Sequence, residues 1–196
     1  MKHIIIVAAM ILAIPYAAVA STWNIDPDHS NLGFKIKHLM VSNVKGNFEK
    51  FSGAVEINDK DMTKSKVEVT VDTNSVNTNV KKRDDHLRSA DFFDVAKYPT
   101  MTFVSKKVTV VGPDKLKVIG DFTLHGVTKE VMLDLEGPTA ESKDPWGNTR
   151  KGATATTKIN RKDFGLMWNQ ALETGGVLVG DEVDITLEVE MIKKQQ

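Results

Sequence analysis

The 196-residue chain contains no cysteine. Without a thiol there is no disulfide framework and no site for lipid attachment through cysteine, so a stapled mini-fold and a lipoprotein are both excluded. Stability must come from an ordinary buried core. Charge of one sign is also lacking: 26 basic residues face 26 acidic ones, which leaves no electrostatic field for nucleic acid. Histidine is scarce, with five scattered through the chain and no H-x-x-x-H spacing of the kind that supplies paired metal ligands. No serine stands in a G-x-S-x-G elbow. No linker, repeat or low-complexity tract divides the chain.

Long apolar runs are absent except at the start, MKHIIIVAAMILAIPYAAVA. A basic residue, Lys2, precedes an uncharged run from Ile4 to Ile14, the helix breaker Pro15, and Ala18-Val19-Ala20. That is the layout of a cleaved secretory signal, and its apolar core falls short of the roughly 20 residues that span a bilayer. The expectation is a signal peptide over 1–20, a mature chain from Ser21 with no membrane span, and export, to the periplasm where the cell has one. Residues 21–196 suit one domain with a sizeable core.

What is present in quantity is period-2 alternation. Leu32, Phe34 and Ile36 alternate with Gly33, Lys35 and Lys37; Val67, Val69 and Val71 alternate with Lys66, Glu68, Thr70 and Asp72; Val183, Ile185, Leu187, Val189 and Met191 continue the pattern. Such runs predict half-buried antiparallel strands. Turn signals at Asp26-Pro27-Asp28, Asn58 to Asp61, Gly112-Pro113-Asp114 and Gly126 separate them, and Gly137 to Gly152 reads as an exposed loop. The count is about eight or nine strands, with parity slips at Glu49-Lys50 and Lys106-Lys107 predicting bulges. An all-β barrel or sandwich follows.

The run GATATTKI from Gly152 places Ala153, Ala155 and Thr157 on one face and Thr154, Thr156 and Lys158 on the other. Either face contributes little volume. In an eight-stranded barrel such a strand fits a hollow interior that holds one small ligand, or an interior filled from opposite by large residues such as Phe34 and Phe122. Both readings stand at this point.

The most chemically loaded stretch is RDDHLRSADFFD, Arg83 to Asp94. Asn77-Thr78-Asn79 offers helix caps ahead of a short helix over Arg83 to Ala90, with Asp84 and Arg88 spaced for an i,i+4 pair. His86 with Asp84, Asp85 and Asp91 suggests a metal site only weakly, and Ser30 and Ser89 read more simply as turn or cap hydroxyls than as nucleophiles. His29 and His125 stand at turns, and His38 falls in phase with the apolar face of its strand, which suits hydrogen bonds that fix strand ends.

Taken in order, several landmarks resemble the YceI-like family of exported polyisoprenoid-binding proteins. They are Ile25-Asp26-Pro27 with His29-Ser30; Gly46 and Phe48 followed by Phe51 and Gly53; Arg83-Asp84 through Asp91-Phe92-Phe93-Asp94; Tyr98-Pro99; His125-Gly126-Val127-Thr128; Arg161 with Asp163-Phe164-Gly165; and Gly180-Asp181-Glu182-Val183. The resemblance spans nearly the whole mature chain. It implies an extended, lipocalin-like antiparallel barrel of about eight strands, with a short helix near 80–90 and an apolar interior for a long isoprenoid or similar lipid.

On that resemblance the loaded stretch is the rim of the barrel, with Leu87, Phe92 and Phe93 turned inward. Phe34, Ile36, Phe48, Phe51, Phe103, Phe122 and Ala155 are candidate ligand-binding residues of the wall. Arg83, His86 and Arg88 are candidate neighbours of a polar headgroup. The resemblance implies a binding protein with no catalytic residue, cofactor or metal. An enzyme acting on such a lipid through His86 and its acidic neighbours, and a filled barrel serving as an interaction module, are the alternatives. Exposed edges of such barrels often pair, so a homodimer is compatible with this reading.

Overall fold

Residues 20–173 and 175–195 are described by the computed structural model; the expected signal segment, apart from its last residue, lies outside them. Among the described residues the alternating runs form β1 (Ser21–Ile25), β2 (Asn31–His38), β3 (Ser42–Phe48), β4 (Phe51–Ile57), β5 (Lys66–Asp72), β6 (Val76–Asn77), β7 (Thr100–Gly112), β8 (Lys115–Leu124), β9 (Val127–Glu136), β10 (Ser142–Lys143), β11 (Thr149–Asn160) and β12 (Val179–Lys193). One helix, α1 (Lys81–Arg88), interrupts them. The sheet runs β11-β9-β8-β7-β5-β4-β1-β12, and β12 returns to β11 in register from Arg150↔Ile192 to Asn160↔Glu182. Eight antiparallel strands therefore close into a barrel, and closure removes the unpaired edges of an open sheet.

The barrel is longer than one strand because three neighbouring positions each hold a broken one. The free edge of β12 is shared between β1, at Met191 to Lys193, and β2, at Val179 to Glu188; β2 carries β3, and β3 carries β6. Between β1 and β2 stands the 3-10 turn Pro27–His29, whose first amide hydrogen-bonds the Asp26 side chain. Pro27 has no N–H to continue a ladder, so the break is set locally. Glu49-Lys50, expected as a bulge, is instead the corner between β3 and β4, where both amides donate to Ser75. The expected bulge near Lys106-Lys107 is present as a register shift between Ser105 and Lys107.

Two other expectations change. The stretch Gly137 to Gly152 is not simply a loop: β10 pairs with the start of β11, and the Asp144 carboxylate accepts from the backbone of Trp146 and Asn148. Polar side-chain-to-backbone turns of this kind leave no hydrophobic period to read. The helix begins at Lys81, two residues before the expected start, with Val80 at the cap position and no side-chain cap bond. Asp84 does not pair with Arg88. It reaches back to accept from the amide and hydroxyl of Thr78, whereas Arg88 donates to the carbonyls of Asn74 and Val76 and to Asp85. The cause is topological: β6 pairs only with β3, so carbonyls on its other edge need a donor.

A polar knot fixes the end of the barrel where β11 begins and β12 finishes. Arg150 donates through Nη1 to Asp26 (2.6 Å) and to Glu190, and through Nε to Asp144 (2.7 Å). His29 approaches Asp26 at 2.8 Å. Asp26, His29 and Glu190 are close enough to suggest a cation site, but the Arg150 guanidinium already occupies it. Burial works against ionisation of Asp144, yet hydrogen bonds from Arg150, Asn148 and the backbone outweigh it and hold the carboxyl at about 2.

A depressed folded-state pKa gives stability that is complete above the unfolded value, about 4, and is lost as pH falls through the folded one. The urea midpoint is therefore expected to stay level from about pH 7 to 5 and to decline below about pH 4. Asp144→Asn should lower the midpoint at pH 7 and flatten that acid limb. Parallel pH profiles for the two proteins would show that the knot does not carry the dependence.

Candidate functional site: an unfilled barrel interior

Inward positions follow from strand parity, yet they differ in how well they are covered. At the Arg150 end packing is solid around Trp23, which is fully buried and outside the cavity lining, although the buried Ile57 and Met191 do line the void. The ammonium groups of Lys151 and Lys193 lie over the Trp23 ring at 5.4 and 5.3 Å. At mid-height, inward residues such as Val69, Phe122, Ile185 and Leu187 are only partly covered although they point into a closed ring. They line a cavity of about 440 Å³. Its wall is mostly leucine, isoleucine, valine, methionine and phenylalanine, with a few polar residues such as Arg83 and His86, which is the lining of an apolar-ligand site.

The void follows from β11. Ala153, Ala155 and Thr157 face inward, and Thr154, Thr156 and Lys158 face solvent, so the closing strand sends small groups into the interior whereas β2, β7 and β8 send Phe34, Phe103 and Phe122. The alternative of large residues filling the space from opposite does not occur, because Phe34 packs sideways on Phe48 at 5.8 Å and Phe122 on Phe164 at 5.4 Å. Gly46 makes the first arrangement feasible, since a Cβ there would stand 2.5 Å from the Phe34 ring.

The structure brings Phe34, Ile36, Phe48, Leu87, Phe92, Phe93, Phe103, Phe122 and Ala155 to the cavity wall, together with Arg83 and His86. It does not bring Phe51 or Arg88 there. Phe51 shares the inward parity of β4 and is buried in the same apolar cluster but is not part of the lining, and Arg88 is spent on the open edge of β6, as above. His86 places Nε2 2.9 Å from Asp91 and its ring 4.8 Å from Trp168 and 5.0 Å from Phe92. Ser89 donates to the His86 main-chain carbonyl and Ser30 to the Glu190 carbonyl, so neither hydroxyl is hydrogen-bonded to an imidazole ring. Of the other histidines, His38 lines the cavity, and His125 stacks on Tyr98 at 4.5 Å.

Sequence reasoning missed the brace at this end. Arg161, 3% exposed, donates to the carbonyls of Gly180 (2.8 Å), Trp168 (2.9 Å) and Leu166, with Asp181 at 3.5 Å. Burial pushes its guanidinium down from its ordinary value, opposed by the Asp181 charge. One side chain thus pins the segment between β11 and β12 across the cavity end and sets Trp168 and Leu178 on the wall. Arg83 is anchored to Thr78 through Nε and Nη2, at 2.7 and 3.0 Å. Among the described residues its Nη1 has no hydrogen-bond partner, which makes it the donor available to a polar group at the cavity.

A closed eight-stranded antiparallel barrel around an unfilled apolar interior defines a hollow barrel of the lipocalin-like type. Residues 23–191 match the family model of the YceI-like domain, and the chain belongs to the YceI-like family. A UPF0312 protein of Vibrio vulnificus is 42% identical over 188 residues, covering 95% of each chain. The YceI protein of Campylobacter jejuni, known from its crystal structure, is 37% identical with a TM-score of 0.69, over 87% of this chain and 96% of its own. A polyisoprenoid binding domain from Saccharophagus degradans shares the fold, with a TM-score of 0.61 at 18% identity over 89% of this chain and 99% of its own.

Arg161→Met keeps most of the side-chain length and removes the donors to three carbonyls. The expected cost is roughly 3 kcal/mol or more, because buried acceptors are left unpaired. Urea unfolding measures it; a cost under about 1 kcal/mol, as at an ordinary surface position, would show that the segment holds without the brace.

Proposed function

We propose that this protein is an exported carrier or scavenger that encloses a long-chain isoprenoid or similar lipid in its barrel. The carrying observation is the elongated apolar cavity. Unfilled apolar volume forfeits packing energy along its whole wall, and a hydrocarbon guest restores it. Burial contributes roughly 0.8 kcal/mol per methylene, so an isoprene unit of about five carbons contributes ~3–4 kcal/mol gross before the ordering cost of a flexible chain. A few units suffice for tight binding without any cofactor.

The wall residues from Phe34 to Ala155 would hold the chain, and a polar headgroup would stay beside Arg83 and His86, since burying it unpaired costs several kcal/mol. The polyisoprenoid binding domain of the same fold supports this class of guest. Binding is favoured over catalysis by the engagement of the candidate serines, Ser30 and Ser89, with backbone carbonyls and not with a histidine ring. The leader-like start supports delivery outside the cytoplasm.

Protein purified without added lipid should release close to one long-chain lipid per chain on denaturation and extraction, with isoprenoid mass spacing in the mass spectrum. An empty extract, together with no uptake of polyprenyl lipids from detergent, would refute the carrier reading. Ala155→Trp places an indole in the cavity. It should fold and lose most of its lipid, whereas a packed interior would make the same change cost on the order of 1–3 kcal/mol. Full lipid content in the folded variant would show that Ala155 is not at the guest's position.

A further inference from the structure

Three exposed apolar side chains in a row, Leu39, Met40 and Val41, form the tip of the β2–β3 hairpin, at 38, 58 and 81% exposure. Leu39 and Met40 both carry positive φ, +51° and +60°, and the Val41 amide closes the turn on the His38 carbonyl at 3.1 Å. Two successive positive φ values are the conformation that Asn-Gly fills without strain. Bulky apolar residues there are disfavoured twice, by backbone conformation and by exposure to water. Such local conflict concentrated in one exposed turn points to use of that turn.

Its position indicates the use. The Leu39 amide donates to the Leu178 carbonyl at 2.8 Å, and His38, Leu178 and Trp168 line the cavity, so the tip stands at the cavity's end. From Asn31 to Phe48 the hairpin holds Lys35, Lys37 and Lys45 and no acidic residue. Lys35 is paired with Asp184; Lys37 and Lys45 have no ion-pair partner among the described residues. Because β6 runs antiparallel to β3 from Asn47↔Asn77, the chain leaving it runs in the direction of the tip before α1 starts with Lys81, Lys82 and Arg83, after the exposed Val80; of these Lys81 is paired with Asp85.

We propose that this lysine-flanked apolar tip docks the barrel on an anionic lipid bilayer, with Leu39, Met40 and Val41 inserted among the acyl chains and the lysines at the headgroups. The assignment concerns the outer surface and goes beyond the identity of the cavity's guest. The cavity end then faces the bilayer, and an apolar chain passes between them without crossing water.

The test uses the closed barrel, residues 21–196, free of the apolar leader that would itself bind membranes. Flotation with phosphatidylcholine vesicles, with and without phosphatidylglycerol, should show association that requires the anionic lipid and weakens in salt, since surface charge is screened over about 8–10 Å. L39N/M40G suits the turn better than the native pair, so its melting midpoint should hold or rise while vesicle affinity falls about tenfold or more, as expected when two inserting side chains are lost. K37Q/K45Q should remove most of the preference for anionic vesicles, and K45Q alone, at a residue outside the cavity lining, should leave the extractable lipid unchanged. Absence of flotation by the unaltered barrel, or equal flotation by L39N/M40G, overturns the proposal. So does a change from dimer to monomer in L39N/M40G with flotation unaltered, which would make the tip a self-association surface. Lipid extracted in parallel separates these outcomes from the fate of the carrier reading.

Discussion

Closure of the β11–β12 ladder is the constraint on which the rest of the molecule depends. Once that ladder forms, eight strands enclose a fixed circumference, and the volume inside is decided by which side chains point inward. β11 contributes alanines and a threonine to the interior, whereas β2, β7 and β8 contribute phenylalanines. The interior cannot collapse onto these small groups, because every wall strand is hydrogen-bonded to neighbours on both sides. The cavity is therefore a consequence of closure combined with one under-filled strand, and it persists at the expense of packing that a solid core would have gained.

The two ends of the barrel are held by different chemistry. One is secured by ionised side chains around Arg150, which join β1, β11, β12 and the β10–β11 hairpin. The other is secured by Arg161 acting on backbone carbonyls, with α1 standing where β6 has no partner on the β7 side. Broken strands at three adjacent positions make both arrangements possible, because each break lets the wall change direction while the ladder continues. The chemically dense stretch Arg83 to Asp94 takes its character from this task. Asp84 and Arg88 satisfy backbone groups along Asn74 to Thr78 that no strand bonds, Ser89 caps the His86 carbonyl of α1, and Leu87, Phe92 and Phe93 cover the interior behind them.

The wall was legible in the sequence because strand parity has a period of two and each apolar residue declares its face. Ala153, Ala155 and Thr157 could be set against Thr154, Thr156 and Lys158 from the pattern alone, although whether the space between them was empty required the positions of Phe34 and Phe122. Phe51 shows the limit of parity, which gives the side of the sheet but not whether a side chain reaches the void: its register partner Val71 and, beyond that, Met101 line it and Phe51 does not. Arg88 and Arg161 show another limit. Their partners are main-chain carbonyls, which no residue pattern marks, and the segment carrying Leu166, Trp168 and Leu178 has no period at all. The hairpin after Gly137 was hidden for the same reason, since its turn is built from the Asp144 carboxylate and backbone amides.

The placement of the three tryptophans gives the molecule an internal optical scale. Trp23 sits in the solid end without solvent contact and beneath two ammonium groups, Trp168 stands at the opposite end edge-on to His86, and Trp146 projects from the β10–β11 turn with 81% of its surface exposed. Their emission should separate into blue-shifted, intermediate and water-like components. A change at the cavity end would register on Trp168 while Trp146 stays constant as an internal reference, so the native chain reports occupancy by depth without an attached dye.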